Sequence, residues 1–132
     1  MSEKERLNAL TDQIINAAIA VHRELGPGML EAAYEASLAF ELLDRRLAIE
    51  RQRTLAFVYR GHTFDCGYRV DIIVEQSVVV EIKAIERFDR VHSKQVLSYL
   101  QQTKCKVGLL INFNVALLVR DGIKRIVHNF PD

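Results

Sequence analysis

The chain has 132 residues, of which 49% are hydrophobic and 27% charged, with 18 Lys and Arg against 17 Asp and Glu. One domain with its own core fits this length, and the composition excludes a disordered chain and a uniformly basic nucleic-acid coat. The net charge of +1 still allows a local basic groove. Cys66 and Cys105 have no metal-ligand spacing, which argues against a zinc site or a disulfide scaffold. Both read as small apolar side chains in a reducing cytoplasm. The N-terminal MSEKERLNALTDQ is followed by no signal-like apolar run, so no signal peptide is expected. No stretch has the roughly 18–20 apolar residues of a membrane span.

Leu7, Leu10, Ile14, Ala17, Val21 and Leu25 recur at steps of three and four, which predicts an amphipathic helix over residues 7–25. Gly26-Pro27-Gly28 ends it. A second helix is expected over 29–46, with Leu30, Ala33, Tyr34, Leu38 and Leu42 inward. Beyond Ala48 the pattern changes to strands. Residues 55–59 and 62–66 flank Arg60-Gly61, and residues 68–74 and 78–83 flank Glu75-Gln76-Ser77. Residues 87–104 read as helix, with Val91, Leu97 and Leu100 in the core. The run KVGLLINF over 106–113 reads as a buried strand, and 117–120 and 123–127 as a terminal hairpin around Asp121-Gly122. The order α-α-β-β-β-β-α-β-β-β predicts an α/β (α+β) fold: one domain over 1–132, with helices packed on a single mixed sheet.

The chemistry concentrates in YRVDIIVEQSVVVEIKA, residues 68–84. A three-residue connection sets Val74 opposite Val78, Ile72 opposite Val80 and Val70 opposite Ile82, all on one face. The same register sets Asp71 across from Glu81, with Lys83 two residues further along. Adjacent carboxylates raise each other's pKa unless a cation lies between them. Mg²⁺ commonly takes one or two carboxylates with water and phosphate oxygens. It would lower the pKa of bound water and polarise a phosphodiester. Lys83 would orient that water or offset charge developing on the phosphate. On spacing alone, the commoner arrangement is a solvated hairpin with a cross-strand ion pair. Glu31 has two readings as well: a favourable charge at a helix N-terminus, or a third carboxylate at the patch. Gln95 and Tyr99, one turn apart with His92 on their stripe, are either the polar margin of a helix or an edge that fixes waters and phosphates.

Together these segments resemble the GxxExxY protein family, named for the motif Gly28-x-x-Glu31-x-x-Tyr34. The likeness runs from about residue 10 to residue 129 and includes AAIAVHRELGPGMLEAAYE, DCGYRVDIIVE, VVVEIKAIE, QVLSYL and GLLINFNVALLVRDGIKRIV. That family is placed in the PD-(D/E)XK nuclease superfamily. The resemblance implies a restriction-endonuclease-like core of a helix, a three-stranded antiparallel portion, a helix and a further strand. It implies Asp71 and Glu81-x-Lys83 as the active-site pattern, Glu31 as a helix-borne acid, and Gln95 and Tyr99 as a supporting Q-x-x-x-Y element. It implies Mg²⁺, with Mn²⁺ as substitute, held by Asp71, Glu81 and the Ile82 carbonyl, with Glu31 assisting directly or through water. The implied reaction is hydrolysis of DNA to a 5′-phosphate, in repair, recombination or defence.

The alternative is a non-catalytic nucleic-acid-binding or regulatory module on the same fold. It accords with near-neutral charge, because phosphate contacts draw on clustered Lys and Arg. The local basic groups are Arg45, Arg46, Arg51 and Arg53, then Lys104 and Lys106, then Lys124 and Arg125. A small-molecule enzyme has little support. Gly26-Pro27-Gly28 follows no strand, and His22, His62, His92 and His128 are dispersed. A homodimer is expected, since one small domain offers limited area to grip a duplex and the terminal hairpin offers an edge.

Overall fold

The first helix, α1 (Glu3–Leu25), follows from an unbroken apolar stripe: Leu7, Leu10, Ile14, Ala17 and Val21 are all buried. The Ser2 hydroxyl caps it by accepting the Glu5 N–H at 3.1 Å, so the helix begins before the stripe does. The computed structural model describes all 132 residues. Gly26 (φ +65°) and Gly28 (φ +101°) lead the chain through left-handed backbone into α2 (Glu31–Asp44). The Tyr34 hydroxyl fastens this loop. It donates to the Gly26 carbonyl at 2.6 Å and accepts the Met29 N–H at 3.1 Å. The Tyr34 ring stacks on Phe113, with centroids 4.6 Å apart. Leu38 and Leu42 are buried as predicted, but Leu30 is exposed, because the helix starts one residue after it.

Five strands follow: β1 (Ile49–Tyr59), β2 (His62–Val74), β3 (Val78–Lys83), β4 (Val107–Asn112) and β5 (Ile123–Val127). They form one sheet in chain order, antiparallel except for the parallel pair β3–β4, which α3 (Arg90–Thr103) connects. The single mixed sheet with helices is the predicted architecture, with two corrections. Residues 62–66 and 68–74 are one strand, whose ladder with β1 shifts register between Leu55–Tyr68 and Phe57–Phe64; the Phe57 ring lies beside Gly67, where a Cβ would come within 2.4 Å of it. Residues 117–120 are not a strand. The chain makes one π-helical turn, Leu118–Gly122, with Leu118 buried and Gly122 so close to the Asn112 carbonyl that a Cβ would lie 2.4 Å from it. One edge of the sheet is therefore β5, paired only to β4, and the other is β1.

The two faces of the sheet carry separate cores. Ile72, Val74, Val78, Val80 and Ile82 pack with α1 and α2, whereas Ile73, Val79 and Leu110 pack with Val96, Tyr99 and Leu100 of α3. Val91 is 60% exposed, contrary to its predicted core role. Asp89 caps α3 in a reciprocal box with His92, so Val91 sits in the first turn, outside the buried stripe. Cys105 is buried, but Cys66 is exposed and does not pack as a small apolar group, because β2 has no helix over it at that point. No helix is long and apolar enough to cross a membrane.

The predicted register of β2 on β3 holds for Val74–Val78 and Ile72–Val80. The pairing then stops. Ile82 stays in the core of α1 and α2, whereas Val70 joins Leu55 in the core of α3, so the predicted Val70–Ile82 pair does not form. The strands splay at Asp71, and the alternation of faces breaks there.

Candidate active site

A splayed ladder leaves backbone N–H groups without partners, and such groups must be satisfied when they are away from water. Here two acidic side chains satisfy them. Asp71 Oδ2 accepts the Ile82 N–H at 2.8 Å, and Glu81 Oε1 accepts the Asp71 N–H at 3.0 Å. Asp71 and Glu81 are thus brought together as predicted, held crosswise on each other's strand. Lys83 ends β3 on the same side of the splay, half-buried, and takes part in none of the ion pairs. Glu31, the first residue of α2, accepts the Ala84 N–H at 3.3 Å and so reaches the end of β3 from the helix. The loop pinned by Tyr34 sets that helix start, which gives all three residues of the Gly28, Glu31, Tyr34 motif a structural role.

The electrostatics mark this pair out. Glu81 is 4% exposed, and burial, followed by the charge of Asp71, pushes its carboxyl up to about 8. Burial also raises Asp71; the Ile82 amide opposes that rise and Glu35 adds to it. Lys83 lowers both, but by less than burial raises them. Two carboxyls raised in this way on one patch are a recurrent sign of a functional site.

A second layer of polar contacts holds Asp71. Gln52 Nε2 donates to Asp71 Oδ1 at 3.2 Å and to Glu35 Oε1 at 2.5 Å, while Arg51 Nε lies 3.1 Å from Glu35 Oε2. Gln52 sits at φ +54°, a left-handed backbone that costs a non-glycine residue about 1 kcal/mol or more. The sequence reading missed Glu35 and Gln52. Glu35 had a legible signal: it lies one helical turn beyond Glu31 and on the same side. Gln52 had none. Asn112 was also missed. It is buried at the end of the apolar β4, where its amide accepts the Ile85 N–H at 3.1 Å and donates to the Ile85 carbonyl at 2.9 Å. It thereby fixes the chain just beyond Lys83.

Gln95 and Tyr99 are placed differently from each other. Tyr99 is buried in the core of α3, and burial followed by the charges of Glu81 and Asp71 pushes its hydroxyl up to about 12. Gln95 is half-buried one turn earlier and acts on Tyr99 in the opposite sense. His92 is spent on capping α3. Of the expected basic groups, Arg45, Arg51, Arg53 and Lys106 face carboxylates within 4 Å and form no free patch.

A sequence model of the PD-(D/E)XK nuclease superfamily matches residues 8–126. The chain belongs to that superfamily. No curated protein matches it. The single mixed sheet with flanking helices is consistent with the superfamily's fold. Nucleases of the superfamily generally use divalent metals. No group of three or more His, Cys, Asp or Glu side chains converges here as a ready metal cage. The donor set still fits a hard cation, since two carboxylates with waters suffice for Mg²⁺. Glu81 Oε1 is engaged by a backbone amide, but Oε2 accepts no hydrogen bond. No buried side-chain polar atom lacks a partner, so that oxygen reaches solvent.

Proposed function

We propose that the site hydrolyses phosphodiester bonds of DNA with Mg²⁺, for which Mn²⁺ substitutes, and that the chain belongs to the GxxExxY branch of its superfamily. One observation carries this reading: Asp71 and Glu81 are held together at the splay with raised pKa values, beside a lysine that has no ion partner. A cross-strand ion pair would engage Lys83, which has no carboxylate within 4 Å. Asp71 and Glu81 would hold the cation, with the Ile82 carbonyl as a third oxygen and Glu31 acting directly or through water. Held there, such an ion would polarise a phosphodiester and lower the pKa of bound water. Lys83 steers the attacking water and offsets charge developing on the phosphate. Gln52 holds Asp71 in place, and Asn112 holds the loop beyond Lys83. Gln95 and Tyr99 border the site from α3.

The test is cleavage of single-stranded, duplex and branched DNA by the purified chain with Mg²⁺ or Mn²⁺. Asp71→Ala is expected to slow cleavage by roughly 10³-fold or more, since metal stabilisation of the transition state is worth several kcal/mol. If no substrate is cut and calorimetry detects no divalent-ion binding, a non-catalytic nucleic-acid-binding module replaces this reading.

A further inference from the structure

β1 and β2 run on together well past the point where β3 leaves them. β3 pairs only with Ile72, Ile73 and Val74, whereas β1 follows β2 out to the Tyr59–His62 pair. Residues 53–69 therefore form a two-stranded arm that leaves the sheet beside Asp71. A ribbon of two strands is marginal in water by itself. This one nevertheless exposes Tyr59 by 61% and Phe64 by 41%.

The rings of the arm are ordered. Phe64 stacks on Phe57 with centroids 5.2 Å apart, Phe57 meets Tyr68 edge-on at 6.4 Å, and Tyr68 meets Tyr99 edge-on at 5.8 Å. Tyr99 in turn lies within the field of Glu81 and Asp71. The file of rings thus leads from the acidic site to the outer half of the arm. Beyond a register shift after Leu55, Phe57 pairs with Phe64 and Tyr59 with His62, so Phe57, Tyr59 and Phe64 share one side. Charge separates the arm from the remainder of the chain. Residues 53–69 hold three arginines and one aspartate, against fifteen basic and sixteen acidic side chains elsewhere. Arg60 and Arg69 form no ion pair.

Exposed rings with unpaired arginines, continuous with an acidic site, match the chemistry of a polyanion with accessible planar bases. A duplex hides the faces of its bases, whereas a single strand presents them. We propose that the aromatic side of this arm binds single-stranded nucleic acid by stacking its bases, and that the strand runs from the arm toward Asp71 and Glu81. The proposal deepens the nuclease reading and rests on it for the identity of the ligand.

The test uses the full chain carrying Asp71→Ala, in EDTA, with fluorescence anisotropy of labelled oligo(dT) and of labelled oligo(dA)·oligo(dT) duplex. Oligo(dT) is expected to bind more tightly than the duplex. Tyr59→Leu and Phe64→Leu each weaken its binding by about fivefold to a hundredfold, the range of one base–ring stack. Tyr59→Phe keeps the ring and retains binding, which separates stacking from any disturbance of folding. Val58→Ala, a neighbouring exposed position on the opposite side of β1, leaves binding unchanged. Oligo(dT) affinity indifferent to both leucine variants overturns the proposal. So does a dimer in sedimentation that those variants dissociate without changing oligo(dT) binding, because the arm would then be a self-association surface. Ring-dependent oligo(dT) binding by a wild-type chain that cuts nothing with any divalent ion upholds the arm and overturns hydrolysis. Cleavage that ignores both leucine variants has the reverse meaning.

Discussion

The two halves of β2 have opposite surroundings. Ile72, Ile73 and Val74 are fully enclosed, with β1 on one side and β3 on the other. Residues 62–67 are exposed throughout, and only 62–64 of them pair, with β1. Asp71 stands at the junction. The inner half can hold apolar side chains and no charge; the outer half, open to solvent, can hold charge. Only where the ladder opens do free backbone amides and partial burial coexist. There two carboxyls can be fixed by hydrogen bonds while Glu81 keeps one oxygen, Oε2, for a cation. The site is thus a product of the sheet's discontinuity as much as of the acidic residues in it.

The largest expected effect tests the junction itself. A carboxyl whose folded pKa lies above its unfolded value stabilises the fold while it is protonated. For Glu81 that contribution is complete below about 4.5 and is lost as pH rises through about 8. Glu81→Gln keeps a carbonyl oxygen for the Asp71 N–H but cannot ionise. Denaturant unfolding of the metal-free chain should show equal stability for wild type and variant near pH 4.5. The variant should gain up to about 5 kcal/mol over wild type by pH 9. Mg²⁺ should stabilise wild type at pH 8 and leave Glu81→Gln unmoved. A difference that stays flat with pH would show that Glu81 is ordinarily ionised and that the junction stores no charge strain.

The next effect contrasts the halves directly. Ile72→Ala removes a fully buried side chain from between β1 and β3 and should cost about 3 kcal/mol in urea unfolding. Phe64→Ala, in the outer half and 41% exposed, should cost under about 1 kcal/mol. Equal costs would mean that the arm is part of the cooperative core, and the contrast would fail.

Much of the inner half was legible in sequence, because its register is dictated by burial. Val and Ile alternate on both strands, and the three-residue turn allows only one pairing that keeps them on common faces, which sets Asp71 near Glu81. The splay was not legible. Val70 continues the apolar alternation, yet it turns to the other core, and nothing in a pattern of period two records where a ladder ends. The turn at 118–122 was hidden for a similar reason: LLVR scans as strand, and the close approach of Gly122 to the Asn112 carbonyl exists only in three dimensions. Glu35 could have been read from its helical spacing to Glu31. The contact of Gln52 with Asp71 depends on a left-handed residue within a strand, which no propensity predicts.

That residue offers the finest test. Gln52 combines an unfavourable backbone with a useful side chain, and the two are separable. Gln52→Gly accepts φ +54° without strain but offers no amide to Asp71 or Glu35. If the side chain positions Asp71 for a cation, Gln52→Gly should weaken Mg²⁺ binding in calorimetry by about tenfold to a hundredfold, the usual cost of removing a group that orients a metal ligand. Its unfolding free energy should stay within about 1 kcal/mol of wild type, because relief of backbone strain offsets the lost hydrogen bonds. Gln52→Ala loses the same contacts and keeps the strain, so it should bind Mg²⁺ as weakly as the glycine variant and unfold more readily. Wild-type Mg²⁺ affinity in both variants would reduce Gln52 to a structural link between β1 and α2. The hold on Asp71 would then lie wholly with the Ile82 amide, at the splay itself.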